Sequence, residues 1–187
     1  MEPLLNTSGS DLEKDEVDEI QQGWRRELPE VDFTQKGIAL RVLALAANLE
    51  EAAQRACAES GLDLSLYKIL SELRRAAPQY ELKPRDLVRC LPISSGGLTS
   101  LIDRAELSGL VRRRPDPHDR RGVVVSITPK GQKAVEAAVR RRAEVWDRVL
   151  APLAAEDRKT LEQLLKRLLA QFQSPRLAGR AAPEAFE

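Results

Sequence analysis

Residues 92–130 read PISSGGLTSLIDRAELSGLVRRRPDPHDRRGVVVSITPK, and this stretch decides the fold. Ser94 is the best N-cap for a helix over 95–108, because a serine hydroxyl can accept from a free backbone N–H of the first turn. Leu98, Leu101, Ile102 and Ala105 give that helix its inward face, and Gly109 stops it. An arginine-studded segment, Arg112, Arg113, Arg114, Pro115, Asp116, Pro117, His118, Asp119, Arg120, Arg121 and Gly122, then leads into the strand Val123-Val124-Val125-Ser126-Ile127. A short helix, a basic hairpin with a Pro/Gly-bearing tip and a return strand make a winged helix-turn-helix. A helix of this size fits a major groove, and such a tip can reach phosphates or a minor groove.

Outward from this unit the chain reads as helix. Toward the N-terminus, Asp11 can cap a helix over 11–28 that Pro29 ends. Thr34 can cap a long helix over 34–60 with Ile38, Val42, Leu45, Leu49, Ala52 and Ala56 at spacings of three and four. A second stripe of Leu40, Leu43, Ala44 and Ala47 widens its apolar face, as a helix buried on more than one side requires. Residues 65–77 give the next helix, and 84–90 a short one with Pro84 at its first position. Beyond the hairpin, Thr128 and Pro129 open another long helix that ends before Pro152. Residues 155–173 carry a ladder through Leu161, Leu164, Leu165, Leu168, Leu169 and Phe172. The expected fold class is mainly α, a winged helix-turn-helix flanked by N- and C-terminal dimerisation helices. Residues 1–10 and 174–187 read as disordered ends.

Composition narrows the function. The chain has 187 residues, 42% of them hydrophobic and 32% charged, enough for one well-cored domain plus a dimerisation element. No apolar run is long enough to span a membrane, and no basic-then-apolar leader is visible, so the expected compartment is the cytoplasm. Cys57 and Cys90 make no disulfide framework, and a lone His118 makes no metal site. No nucleophile triad, phosphate loop or dinucleotide fingerprint is present, so neither catalysis nor a cofactor is expected. Net charge is only +1, but its distribution is uneven: residues 1–30 hold nine acids and three bases, and the remainder 27 bases against 20 acids. Five arginines against two aspartates within 111–121 form a local electrostatic footprint that points to double-stranded DNA as a partner.

Residues 82–131 resemble the MarR transcriptional regulators. The likeness rests on Ser94-Ser95-Gly96-Gly97-Leu98-Thr99, Asp103-Arg104, Gly109-Leu110-Val111, Asp116-Pro117-His118-Asp119-Arg120-Arg121 and Ile127-Thr128-Pro129-Lys130-Gly131. The helical flanks extend it to 34–173, with 11–33 as an added N-terminal helix. What the resemblance implies is a homodimer on a pseudo-palindromic operator, released by a small anionic or phenolic ligand. Trp24 to Asp32, Leu73-Arg74-Arg75-Ala76 and Ser94 to Gly97 resemble the PecS-type, urate-responsive branch of the family. By that likeness Trp24, Lys68 and Arg113 hold ligand positions, but Lys68 stands where the branch has an aspartate and Leu101 where it has an arginine. The first change inverts the charge of that corner, which speaks against urate itself.

For DNA the candidate contacts are Lys83 and Arg85 at the start of the short helix, and Ser94, Ser95, Gly96, Gly97, Thr99, Ser100 and Arg104 on the recognition helix. Arg112, Asp119, Arg120 and Arg121 follow on the wing. Ser94 can cap its helix and touch DNA as well. The paired glycines each weaken a helix by about 1 kcal/mol, which either a close approach of DNA or plain tolerance explains. Asp103 and Arg104 read as a structural ion pair. In the family's pattern the second arginine of Asp119-Arg120-Arg121 enters the minor groove and the aspartate orients it. A second reading stays open: a winged-helix protein-interaction or ligand-binding module that no longer reads DNA. The missing arginines at Ser100 and Leu101 favour it, and the basic wing opposes it.

Overall fold

The computed structural model describes residues 14–171 apart from 92 and 118, with the backbone alone at 120 and 121. The ends expected to be disordered, the candidate cap Asp11, Phe172 and His118 lie outside the described residues. The order is α1 (Glu16–Glu27), α2 (Thr34–Glu59), α3 (Leu64–Arg75), β1 (Glu81–Leu82), α4 (Pro84–Cys90) and α5 (Ser95–Leu107). The hairpin β2 (Val111–Asp116) and β3 (Asp119–Ile127) follows, then α6 (Pro129–Leu150) and α7 (Ala155–Leu169). This is the expected mainly helical winged unit between outer helices, though α7 stops at Leu169, short of 173.

Three helix starts differ from expectation, and an aspartate carboxylate accepts from backbone N–H groups at each. Helix α1 begins at Glu16: the Asp15 carboxylate accepts from the Asp18 N–H at 2.9 Å, and the Asp18 carboxylate from the Asp15 N–H at 3.1 Å. Thr34 is the first residue of α2 and not its cap; its N–H and hydroxyl donate to Asp32 at 2.9 and 2.7 Å. Asp63 caps α3 by accepting from the Leu66 N–H at 2.8 Å, so that helix starts at Leu64 and not at Ser65. Ser94 and Thr128 do cap α5 and α6, accepting from the Gly97 and Gly131 N–H groups at 3.2 and 3.0 Å.

The sheet has the order β1-β3-β2, antiparallel throughout. Strand β1 has no counterpart in the sequence pattern, since two residues carry no alternation; Leu82 pairs with Val125. The wing register runs from Val111 opposite Ile127 to Pro115 opposite Val123, with a shift at Pro115/Asp116 where the hairpin leaves its regular ladder.

The core lies inside the winged unit. Ile69, Leu70, Leu73 and Leu87 are fully buried, with Leu98, Leu101 and Ile102 of α5 and Val125 of β3 closing over them. Val135 and Ala138 bring α6 onto the same core. A rigid joint fixes where α6 starts. The Thr128 N–H donates to Leu110 O at 3.0 Å, its hydroxyl to Gly109 O at 2.7 Å, and Lys130 Nζ to Ser108 O at 2.9 Å. A Cβ at Gly131 would overlap the Leu110 carbonyl oxygen, so only glycine lets the two segments meet this closely. No helix among the described residues is long and apolar enough to cross a membrane.

Candidate nucleic-acid interface

The start of α5 presents a small, polar, uncluttered front. Ser94, Ser95, Gly96, Thr99 and Ser100 are exposed while Leu98, Leu101, Ile102 and Ala105 face the core. The Thr99 and Ser100 hydroxyls donate to the Ser95 and Gly96 carbonyls at 3.1 and 3.3 Å, which keeps both side chains low against the helix. The two glycines prove unalike. A Cβ at Gly97 would meet Ile93 Cγ1 at 2.9 Å, so internal packing accounts for it, whereas a Cβ at Gly96 would meet nothing within 4 Å. Gly96 is therefore free to lie against an external surface.

Most of the basic groups near this front are already engaged. The Asp103–Arg104 pair expected from the sequence is not formed, because neighbours on a helix face different ways. Arg104 reaches Asp63 at 3.1 Å and ties α5 to the start of α3. Asp103 instead accepts from Arg113 Nη2 at 2.5 Å. Arg113 also donates its backbone N–H to Glu106 Oε1 at 2.8 Å and Nη1 to Glu106 Oε2 at 2.5 Å, so it locks the base of the wing to the back of α5. These two bonds hold the Glu106 carboxyl below the usual carboxylate range.

Lys83 sits 2.5 Å from Asp116, whose side chain is 1% exposed, and so joins the start of α4 to the wing. Arg114 bonds Glu81 at 3.0 Å across the sheet. Arg85 is exposed, with Asp86 at 3.9 Å, and Arg112 and Asp119 are exposed on the hairpin. The side chains of Arg120 and Arg121 lie outside the described residues, but the β3 backbone carries both positions at the turn end of the hairpin. Recognition helix, α4 start and wing thus form one body, cross-braced by Arg113 and Lys83.

The three positions assigned to a ligand have separate neighbourhoods. The Trp24 ring lies beside Phe33, centroids 6.1 Å apart, with Lys36 Nζ 4.3 Å above it. Lys68 faces Glu50 at 4.0 Å, and Arg113 is held by the recognition helix as described. Leu101, 4% exposed, belongs to the core. Sequence reasoning passed over a different group, Arg142, whose guanidinium lies 4.4 Å from the Tyr67 ring and 5.0 Å from the Trp146 ring. The signal in the sequence was Arg142 and Trp146 one helical turn apart. Among the described residues no cluster of His, Cys, Asp and Glu is arranged to hold a metal ion.

Known proteins resemble this chain in sequence and fold. A family model described as MarR family matches residues 60–122, from the α2–α3 turn into the first residues of β3. The HTH-type transcriptional regulator PecS of Dickeya dadantii (strain 3937) is 30% identical over 153 residues, 82% of this chain and 92% of PecS. The crystal structure of a cysteine-to-serine mutant of MarR from E. coli superposes with a TM-score of 0.62 at 26% identity, covering 70% of this chain and 95% of that one. The same mutant complexed with operator DNA gives a TM-score of 0.59 at 24% identity, covering 78% and 97%, a likeness of fold. The match to PecS extends well beyond the braced helix and wing into the outer helices, and this chain belongs to the MarR family.

Proposed function

We propose that the protein is a DNA-binding transcription regulator, a ligand-responsive repressor that acts as a homodimer on a pseudo-palindromic operator. Residues 34–173 are its regulator domain and 11–33 an added N-terminal segment that carries α1. The observation that carries this reading is the exposed Ser94–Ser95–Gly96–Thr99–Ser100 front, held in fixed relation to a basic hairpin by Arg113 and Lys83. The front enters the major groove, where the hydroxyls and the open Gly96 backbone meet phosphates and base edges. Arg85, Arg112 and Arg120 meet phosphates. Arg121, oriented by Asp119, enters the minor groove. Lys83, Arg104 and Arg113 position these elements more than they touch DNA, since each already holds a carboxylate.

Homologues of this family are transcriptional regulators, and family members function as dimers. The second copy supplies the cover for Ile38, Val42, Leu43 and Leu45 on α2, and for Leu164, Leu165, Leu168 and Leu169 on α7. All eight are at least 36% exposed in the single chain. With a dimer, two recognition helices can enter successive major grooves. A small anionic or phenolic ligand that alters their separation weakens operator binding, and by linkage the operator weakens ligand binding equally.

The test is a mobility shift on DNA from the protein's own promoter under salt titration, with Arg121→Ala alongside. Sequence-selective binding is expected. The substitution should weaken it by roughly 1–3 kcal/mol and flatten the salt dependence by about one ion. The recognition helix exposes no arginine free to read guanine, which favours the other reading, a winged module for proteins or ligands. Binding that ignores sequence, or no binding, selects that reading.

A further inference from the structure

Helix α5 turns Leu98, Leu101, Ile102 and Ala105 to the core. On the opposite side, at about 100° per residue, Gly96, Ser100, Asp103 and Leu107 fall within about 60° of one another. The exposed front therefore does not end at Ser100 but runs on to Leu107, about 16 Å along the axis from Gly96. A Cβ at Gly96 would meet nothing within 4 Å. The Ser100 hydroxyl donates its proton to Gly96 O at 3.3 Å, and the Thr99 hydroxyl, at the edge of this line, to Ser95 O at 3.1 Å. Asp103 accepts from Arg113, which offsets its charge, and Arg104 is turned to Asp63. Leu107 is 90% exposed. A leucine in water is ordinary by itself, but one in line with the groove-facing residues of a recognition helix is a contact surface. From Gly96 to Leu107 the exposed side chains thus carry oxygen lone pairs and carbon, with no donor that is not already turned to a partner.

We infer that α5 reads A·T pairs through thymine methyl groups, with Leu107 and the Thr99 methyl as its reading surface. Each base pair displays its own set of groups in the major groove. Guanine presents two acceptors there, which call for donors that this face lacks. Adenine presents an amino donor that hydroxyl lone pairs accept, and thymine an apolar C5 methyl that carbon accepts. A long side chain on a helix leans toward the N-terminus, so the Leu107 methyls reach back over the Asp103 turn. Gly96 and Ser100, small and on the same line, let the helix axis lie close enough to the bases for its last turn to touch them. The inference deepens the DNA-binding reading above and rests on it: selectivity falls to carbon where no arginine is free for guanine. A protein partner fits this surface less well, since the exposed neighbours of Leu107, namely Asp103, Arg104 and Ser108, are polar and leave it a single apolar point.

The experiment uses the full chain and a duplex from its own promoter, or one that it selects from a random-sequence library. Thymines are replaced one at a time by deoxyuridine, which removes the C5 methyl and keeps the base pair, and affinity is read by fluorescence anisotropy. One or two thymines in each half-site should lose about three- to fivefold on replacement, the effect of one buried methyl group. Leu107→Ala should weaken binding to the thymine duplex by about fivefold and make one of those replacements silent, a non-additive pair in a double-mutant cycle. Thr99→Ser, which keeps the hydroxyl and drops the methyl, should silence a different one. Deoxyuridine under the wing should have no effect, because the methyl projects into the major groove alone. A general loss of fold would lower affinity for every duplex alike and could not silence one position. Absence of any sensitive thymine, or losses in Leu107→Ala equal to the parent's at every position, overturns the inference. A change of assembly state in Leu107→Ala by sedimentation, with the deoxyuridine losses intact, also overturns it and gives Leu107 to a protein contact. Selective binding that ignores the methyls keeps the regulator and loses this reading, whereas failure to bind DNA selectively loses both.

Discussion

The winged unit and the outer helices use the same apolar residues in opposite ways. In the winged unit Leu70, Leu73 and Leu87 are sealed, and the few charges between its elements are paired across secondary structure: Arg113 to Asp103 and Glu106, Lys83 to Asp116, Arg114 to Glu81. Helix α7 buries no residue at all, and the first half of α2 leaves Ile38 and Leu43 at 56% and 65% exposure. A leucine ladder in water contributes nothing until something covers it, so the outer helices are incomplete in one chain and the winged unit is not. The lesson is a division of labour. One region is closed by its own contacts, and the other leaves an apolar ladder open in the single chain.

Substitutions in the two regions separate these roles. Leu70→Ala should have the largest effect, about 4 kcal/mol of unfolding free energy in a urea titration, because a fully buried leucine leaves a cavity that its neighbours cannot fill. Leu164→Asp with Leu168→Asp should instead act on assembly. Loss of two half-exposed leucines from a shared face should weaken the dimer by roughly 3 kcal/mol, about a hundredfold in dissociation constant, read by sedimentation. Helical content should persist. A double variant that stays dimeric at micromolar concentration breaks the comparison, since the exposed ladder would then have no role in pairing.

A smaller effect asks what holds the winged unit's own joints. Asp63 both caps α3 and pairs with Arg104. Caps typically contribute about 1 kcal/mol, while exposed pairs contribute a fraction of that. Asp63→Ala should therefore cost about 1 kcal/mol, and Asp63→Asn, which retains the cap and loses the pair, only a few tenths. Equal losses in a thermal melt would shift the weight to the pair and make α5 placement electrostatic.

How far the sequence was legible follows the same divide. Ser94, Thr128 and Pro84 announced their helices because cap chemistry is local, and the hairpin was readable from its basic arm, its Pro/Gly-bearing tip and its return strand. The starts of α1, α2 and α3 were misplaced because several polar residues crowd each boundary, and only geometry selects Asp15, Asp32 and Asp63 among them. Among the site residues, the exposed front of α5 was readable from helical periodicity. The partners of Lys83, Arg104 and Arg113 were not, since each lies on another element and no spacing rule connects Lys83 to Asp116 or Arg113 to Glu106. Arg142 escaped for the same reason, because its neighbour Tyr67 lies on another helix.

The Arg113–Glu106 brace gives the smallest effect and a pH signature. Arg113, through its backbone N–H and then its guanidinium, holds the Glu106 carboxyl below the ordinary glutamate value, with Asp103 opposing weakly. A group whose folded value is depressed stabilises the native state fully above its unfolded value and loses that contribution as pH falls through the folded one. The brace is therefore intact at neutral pH and lost on acidification below the usual carboxylate range. Because both partners are about a third exposed, solvent screening keeps its contribution to about 1 kcal/mol or less. Glu106→Gln should remove that part of the acid dependence, so that parent and variant differ at pH 7 and converge at low pH. Operator affinity should fall with it, since Arg113 then holds the wing to α5 through Asp103 alone. A variant that matches the parent in stability at pH 7 yet loses operator binding would assign the brace to wing placement and not to folding, and would extend the division of labour into the winged unit itself.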